Sequence, residues 1–426
     1  MPALRWLFAC AFVLAVAAAP DVRAQSTCDP DGLQKSGSIY RICLPPPERF
    51  NGSLVVFAHG FQDAGTPVQI PEEQLAAGGL SLPGLVNDLG FAFATNSYSK
   101  TGLAIRQGAA DILDLVDIYA ATYGPPDKVF LTGASEGGII TALLVERHPE
   151  VFAGGVAACG PIGSFRGQIN YFGDARALFD AFFPGLIPGD PLDPSPDLVA
   201  GWTDYYAQVV APVVFDPANA ATLMDYAKVA KLPFDIADPV GSLRISVSDV
   251  LRYGVVNFRD AVATLGGMPF GNLLRWYTGS GDDVALNAAV ARIAADPAAV
   301  AEMRTHYDTT GRLSSPLITL HTSLDQQVPA WHQTLYSVKT LLTGAFLAHH
   351  LPIRVERFEH CNFTAADVLV SFAALLLYTG DLGLLTGVGT VLAGDELARF
   401  ETMARSRGLP YRLAGDRLRL IPPPAW

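Results

Sequence analysis

Several short runs of the chain are apolar at nearly every position rather than at alternate ones. Leu54-Val55-Val56-Phe57-Ala58, Phe91-Ala92-Phe93-Ala94-Thr95, Val129-Phe130-Leu131-Thr132 and Pro316-Leu317-Ile318-Thr319-Leu320-His321 all read this way. Such runs suit strands of a parallel sheet, which helices cover on both faces. Phe152 to Ala158 reads as another strand, and Ser36 to Leu44 as an early one in which Ile39, Tyr40 and Ile42 favour extended backbone. Ile353 to Phe358 alternates and predicts a half-exposed last strand.

Between these runs the period lengthens. Ile105 to Tyr123 predicts a long amphipathic helix, stopped by Gly124-Pro125-Pro126. Ile139, Ile140, Leu143, Leu144 and Val145 predict a helix after the third run, and Trp331 to Leu342 predicts another. Ala365 to Leu377 is apolar nearly all round, which suits a buried helix too short to span a bilayer. Residues 72–90 read as helical but broken by Gly78-Gly79 and Pro83. Strands alternating with helices indicate an α/β architecture with a mostly parallel sheet.

The alternation stops between residues 162 and 312. That span is rich in Pro, Asp, Gly and aromatics, with helical stretches at Leu198 to Val210 and Val284 to Ala295 and no strand in rhythm. It predicts a helical lid over the carboxyl ends of the strands, inserted into a core made of residues 25–161 and 313–426. Phe172, Phe179, Phe182, Phe183, Trp202, Tyr205 and Tyr206 give the lid an aromatic content that suits an apolar pocket. Residues 381–426 read as a mixed surface segment.

Composition narrows the class. Half of the 426 residues are hydrophobic and 16% are charged, so the chain can bury a large core. The formal charge of −12, without a cluster of Lys and Arg, argues against nucleic acid as a partner. Arg5, the apolar run Trp6 to Ala19 and the small residues around Val22-Arg23-Ala24 predict a signal peptide over residues 1–24. Export to the periplasm or outside the cell follows, with no stable membrane span. An oxidising compartment turns attention to the cysteines that remain, Cys28, Cys43, Cys159 and Cys361. Four cysteines allow three pairings. Cys28 and Cys43 flank one short segment, and pairing them leaves Cys159 with Cys361.

The candidate chemistry sits at the strand ends. Gly133-Ala134-Ser135-Glu136-Gly137 lies between a strand and a helix, the context of a nucleophile elbow. Glycines are needed there because the turn packs tightly on both sides, and the new helix aims N–H groups at the reacting oxygen. Asp325, in Asp325-Gln326-Gln327-Val328-Pro329, follows a later strand, and His360 follows the last one. In an open α/β sheet all three positions fall on the carboxyl edge, where ligands bind. No His/Cys/Asp cluster has metal-ligand spacing along the chain and no glycine-rich phosphate loop is present, so no cofactor is expected.

With Phe57-Ala58-His59-Gly60-Phe61 added, these motifs resemble those of the α/β-hydrolases, over roughly residues 36–160 and 314–380. The resemblance implies a serine esterase acting on a small or polymeric ester. Ser135 would be the nucleophile, His360 its base and Asp325 the acid that orients it, with backbone N–H groups of Phe61 and Glu136 as the oxyanion hole. Other histidines have structural readings: His321 in a strand, His59 under the oxyanion loop, His148 in the last turn of a helix. Similarity to tannases and feruloyl esterases is partial. Their disulfide joins the residue after the catalytic His to the residue before the nucleophile. Here Cys361 holds the first position, but Ala134 stands at the second. A peptidase of the same fold is the second reading and a non-catalytic binding protein the third.

Overall fold

The computed structural model describes residues 27–77, 79–384, 388, 392, 394–406, 411–414 and 417–420. The expected signal peptide, 1–24, and parts of the tail lie outside the described residues. The strands are β1 (Thr27–Cys28), β2 (Gly32–Leu33), β3 (Ile39–Leu44), β4 (Leu54–Ala58), β5 (Ala76–Ala77), β6 (Leu80–Ser81), β7 (Ala92–Asn96), β8 (Val129–Ala134), β9 (Gly154–Ala158), β10 (Leu317–Leu324), β11 (His350–Phe358) and a separate antiparallel pair, β12 (Tyr411–Ala414) and β13 (Arg417–Leu420). The main sheet runs β1-β3-β7-β4-β8-β9-β10-β11, with β2 added beside β3. It is parallel from β7 to β11 and antiparallel where β3 meets β7. The architecture is the α/β-hydrolase fold.

Side chains alternate across each strand, so one strand feeds two cores. Leu54, Val56 and Ala58 of β4 and Leu131 of β8 pack with Ile112 and Leu115 of helix α2 (Ile105–Tyr123) and with Ile139 and Leu143 of helix α3 (Glu136–Arg147). Val55 and Phe130 turn the other way. They meet Leu85 and Leu89 of helix α1 (Leu82–Asp88), and Leu369 and Phe372 of the helix Ala365–Tyr378. Each such side chain contributes about 1.5–3 kcal/mol when fully buried. That two-sided burial is why the strand sequences carry few polar positions. The helix Ala365–Tyr378 starts from a capping box, Thr364 with Asp367, and eleven of its fourteen residues are buried, which explains its continuous apolar text.

Three expectations need correction. Residues 72–90 are not one broken helix. They form a 3₁₀ turn (Glu72–Gln74), the small β5–β6 hairpin, and only then α1. Pro83 lies in the first turn of α1, where its missing N–H costs nothing, so it starts the helix instead of breaking it. The stretch Leu198 to Val210 divides at Gly201 into Pro196–Ala200 and Trp202–Tyr205, followed by a π-turn, Tyr206–Val210. The stretch Val284 to Ala295 is helical only over Asp283–Ala289.

Between β9 and β10 the regular elements of the described chain are helices joined by irregular loops, with an isolated bridge between Asp190 and Asp193. Helix α4 (Phe165–Phe182) runs through a cluster of its own with Val214, Tyr226, Val247 and Leu251. The same segment reaches the α2–α3 side of the sheet through Phe165, Phe258 and Met303. Lys100 is 3.0 Å from Asp260 across that junction.

Candidate active site

Ser135 leaves β8 with φ 57° and ψ −118°, a conformation that costs about 1–3 kcal/mol and persists because the surroundings dictate it. The glycines around it have measurable reasons. A Cβ on Gly137 would lie 1.9 Å from the Ala58 carbonyl oxygen, and one on Gly133 would lie 2.2 Å from the Gly137 oxygen. The elbow therefore sits against the end of β4 with no room for a side chain. The Ser135 N–H donates to Ala158 O at 2.9 Å, which ties it to β9 as well.

Three distant side chains meet at this turn. Ser135 Oγ is 2.9 Å from His360 Nε2, and His360 Nδ1 is 2.8 Å from Asp325 Oδ2. Asp325 is fully buried, and its Oδ1 accepts backbone N–H groups of Gln327 and Val328 at 3.0 and 2.8 Å. Those bonds fix the carboxylate without using the oxygen nearest the imidazole. His321 also lies 3.6 Å from Asp325, but its Nε2 is 2.7 Å from Val328 O and burial pushes its pKa down. It is a buried neighbour of Asp325, turned to Val328 O and outside the Ser135–His360 contact. Glu359 is exposed, and its carbonyl accepts from the Thr322 hydroxyl at 2.9 Å.

The backbone N–H groups of Phe61 and Glu136 donate to no other group among the described residues. Gly60 brings the first of them close to Ser135: a Cβ there would lie 3.2 Å from Ser135 Cβ. The Gly60 N–H is held by Gln74 Oε1 at 2.6 Å. Beneath this loop His59 stacks on Tyr98 with ring centroids 3.8 Å apart, and Tyr98 donates to His59 O at 2.8 Å. Burial pushes the His59 pKa down to about 4, so the ring is neutral packing under the loop. The Glu136 side chain points into the protein, accepts from Ala104 N–H at 2.8 Å, and is pushed up to about 8 by burial.

Both cysteine pairs are disulfides, Cys28–Cys43 and Cys159–Cys361. The first crosses directly opposed residues of β1 and β3. The second joins the end of β9 to the residue after His360, and Glu359, Cys361 and Cys159 all have positive φ, at 85°, 52° and 44°. Metal-ligand spacing is absent along the chain. In space Cys159, His360 and Cys361 bring ligand atoms within 4.8 Å of one another, but both sulfurs are spent in the disulfide.

A cavity of about 410 Å³ opens at Ser135 and His360 and runs between the sheet and α1. Its deep walls are Val55, Phe57, Phe91 and Phe93 from the sheet, Leu85 and Leu89 from α1, and Leu369 and Phe372 from the helix Ala365–Tyr378. The expectation that the lid aromatics form the pocket is therefore corrected. Phe179, Phe183 and Trp202 are buried in the segment's own cluster, and only Phe172 of that set reaches a cavity at Ser135, a smaller one of about 90 Å³. A third cavity, about 320 Å³ and polar, lies beside Phe61 and is lined by Asp63, Glu73, Gln74, Asp249, Arg252 and Gln327 among others.

Sequence reasoning missed Gln74, Tyr253 and Gln327. Tyr253 begins a π-turn, stacks on Phe172 at 4.5 Å, and donates to Gln327 Oε1 at 3.2 Å. π-turns carry no sequence signature, so nothing marked it. Gln327 sits two residues after Asp325 and was within reach of a closer reading of that loop.

Comparison with known proteins adds the following. A family model described as the prolyl oligopeptidase family matches residues 87–165, the span from α1 through the elbow to the start of α4. Feruloyl esterase B of Talaromyces funiculosus is 37% identical over 68 residues, 15% of this chain and 19% of that protein, so the match spans about a fifth of the relative's length. Among solved structures, feruloyl esterase B from Aspergillus oryzae is similar at 13% identity, covering 91% of this chain and 84% of that one, with a TM-score of 0.48. An esterase from Aspergillus oryzae is similar at 14% identity over 78% and 71%, TM-score 0.46. An acylaminoacyl peptidase of Pyrococcus horikoshii is similar at 10% identity over 79% and 37%, TM-score 0.37.

Proposed function

We propose that this serine hydrolase of α/β fold is exported and cleaves carboxylic esters through an acyl-enzyme. The observation that carries the reading is the unbroken chain from Ser135 Oγ through His360 to buried Asp325, with steps of 2.9 and 2.8 Å, at a strained elbow. Ser135 attacks the ester carbonyl while His360 Nε2 takes its proton. Asp325 holds the ring by Nδ1 and stabilises the imidazolium. Charge developing on the carbonyl oxygen meets the N–H groups of Phe61 and Glu136. His360 then gives its proton to the departing alcohol. Water, deprotonated by the same nitrogen, attacks the acyl-enzyme, and Ser135 regains its proton as the acid leaves. In this reading residues 162–312 cap the site, residues 25–161 and 313–426 form the core, and the leader 1–24 is removed on export. The two disulfides support an oxidising location. Among the described residues no helix is long and apolar enough to cross a membrane.

The match to the prolyl oligopeptidase family keeps a peptidase as the second reading. Short p-nitrophenyl esters tested beside aminoacyl-proline anilides separate the two. A fluorophosphonate probe labels Ser135 in the folded wild type, and Ser135→Ala loses both labelling and about 10³-fold or more of turnover. Retained turnover in Ser135→Ala ends the assignment.

A further inference from the structure

We infer that the cavity between the sheet and α1 holds the acyl arm of the substrate and that this arm is a straight aliphatic chain. The inference rests on the esterase reading and deepens it. The cavity starts at Ser135 and His360 and reaches a floor of Val55, Phe91 and Phe93, which are at most 2% exposed. Its volume, about 410 Å³, falls in the range of pockets that enclose small ligands.

The amide oxygens of Gln74 and Gln327 and the Thr132 hydroxyl in its lining are already bonded within the protein. Gln74 holds Gly60, Gln327 accepts from Tyr253, and the Thr132 hydroxyl is turned to Val56 O at 3.3 Å. A ring bearing hydroxyl groups would leave them unpaired against leucine and phenylalanine, which penalises it. An alkyl chain meets no such loss and gains about fourfold in affinity for each methylene buried.

The same contrast sets the direction of the ester. The acyl group stays on Ser135 after the first step, so a deep chamber suits it. The alcohol must depart before water enters. The polar cavity beside Phe61 suits that exit, since Thr66 and Glu73 on its wall are exposed and Asp63, Glu73 and Asp249 favour neutral, hydroxyl-bearing groups over carboxylates.

The test is a p-nitrophenyl ester series from acetate to dodecanoate with the full mature protein, scored as kcat/KM. Methyl octanoate and methyl ferulate are compared at equal concentration. Octanoate should exceed acetate by at least about 100-fold, as several methylenes at about fourfold each require, and methyl octanoate should be cleaved faster than methyl ferulate. Val368→Trp, on the cavity wall, should lower the octanoate-to-acetate ratio at least tenfold. Leu85→Ala should move the best chain length upward, and it decides the matter if the tryptophan variant does not fold. A flat series, faster ferulate cleavage, or a ratio and optimum unmoved by either variant overturns the inference. Fluorophosphonate labelling of Ser135 in the same samples keeps the two ideas apart. A labelled enzyme that cleaves acetate without chain preference refutes the acyl cavity alone, whereas an unlabelled, inert protein refutes the hydrolase reading.

Discussion

Replacing each disulfide with a serine pair should separate stability from activity. In the chain-entropy model, losing Cys28–Cys43, with its separation of 15 residues, costs about 3 kcal/mol, and losing Cys159–Cys361, with a separation of 202, costs about 5 kcal/mol. Both variants therefore melt earlier. Only the second touches the site. Glu359 and Cys361 flank His360 with φ of 85° and 52°, and each conformation costs about 1–3 kcal/mol. When the bridge to Cys159 is gone, relaxing both yields about 4 kcal/mol at the midpoint of that range. The His360–Asp325 hydrogen bond, at 2.8 Å, resists with about 2 kcal/mol. About 2 kcal/mol then favours a loop with the imidazole displaced, which lowers kcat/KM about 30-fold. The assay is ester hydrolysis at a temperature where circular dichroism shows each variant folded. Cys28→Ser/Cys43→Ser should keep wild-type kcat/KM. Full activity in Cys159→Ser/Cys361→Ser would refute the claim that the bridge positions His360.

Further outcomes test other parts of the account. Glu136, pushed up to about 8 by burial, binds more protons folded than unfolded between its ordinary value of 4.5 and 8, so its contribution to stability falls as pH rises through that window. Glu136→Gln should accordingly gain in melting temperature relative to wild type between pH 5 and about 8, and a pH-independent difference contradicts this linkage. Gly137→Ala should fail to accumulate as folded protein, because its Cβ would lie 1.9 Å from Ala58 O; a soluble variant with wild-type melting disproves the close approach. Gln74→Leu frees the Gly60 N–H and should lower kcat about three- to tenfold with KM little changed, since one hydrogen bond is worth about 0.5–1.5 kcal/mol. Equal losses of substrate affinity would assign Gln74 to binding instead.

The parts of the fold legible in the sequence were those whose physics is local. A strand covered on both faces is apolar at nearly every position, as Leu54–Ala58 is throughout and Val129–Ala134 is apart from Thr132. The elbow was legible because backbone contact demands glycine at fixed offsets from Ser135. The side of the sheet that would hold the cavity was not legible, because Leu85, Phe91 and Leu369 read as ordinary core residues. Whether apolar side chains close on one another or leave space between them depends on separations of a few ångströms that periodicity does not encode. For the same reason Phe179 and Trp202 suggested a pocket and turned out to be packing. Gln74 escaped notice because its role rests on one contact to Gly60, fourteen residues away across an irregular loop.

The segment between β9 and β10 fills its own interior with Leu178, Tyr226 and Val250, and meets the sheet-bearing body partly through polar pairs such as Lys100 with Asp260. Every atom of the Ser135, His360 and Asp325 chain, and of the amides beside it, belongs to the other body. If that segment caps the site as proposed, substitutions at Phe172 would reshape the wall of the smaller cavity beside Ser135 and leave the Ser135, His360 and Asp325 chain in place, whereas Tyr253, bonded to Gln327, is tied to the Asp325 loop. On the proposed reading, an arrangement of this kind would let selection exchange one clientele for another while the reactive centre is inherited unchanged.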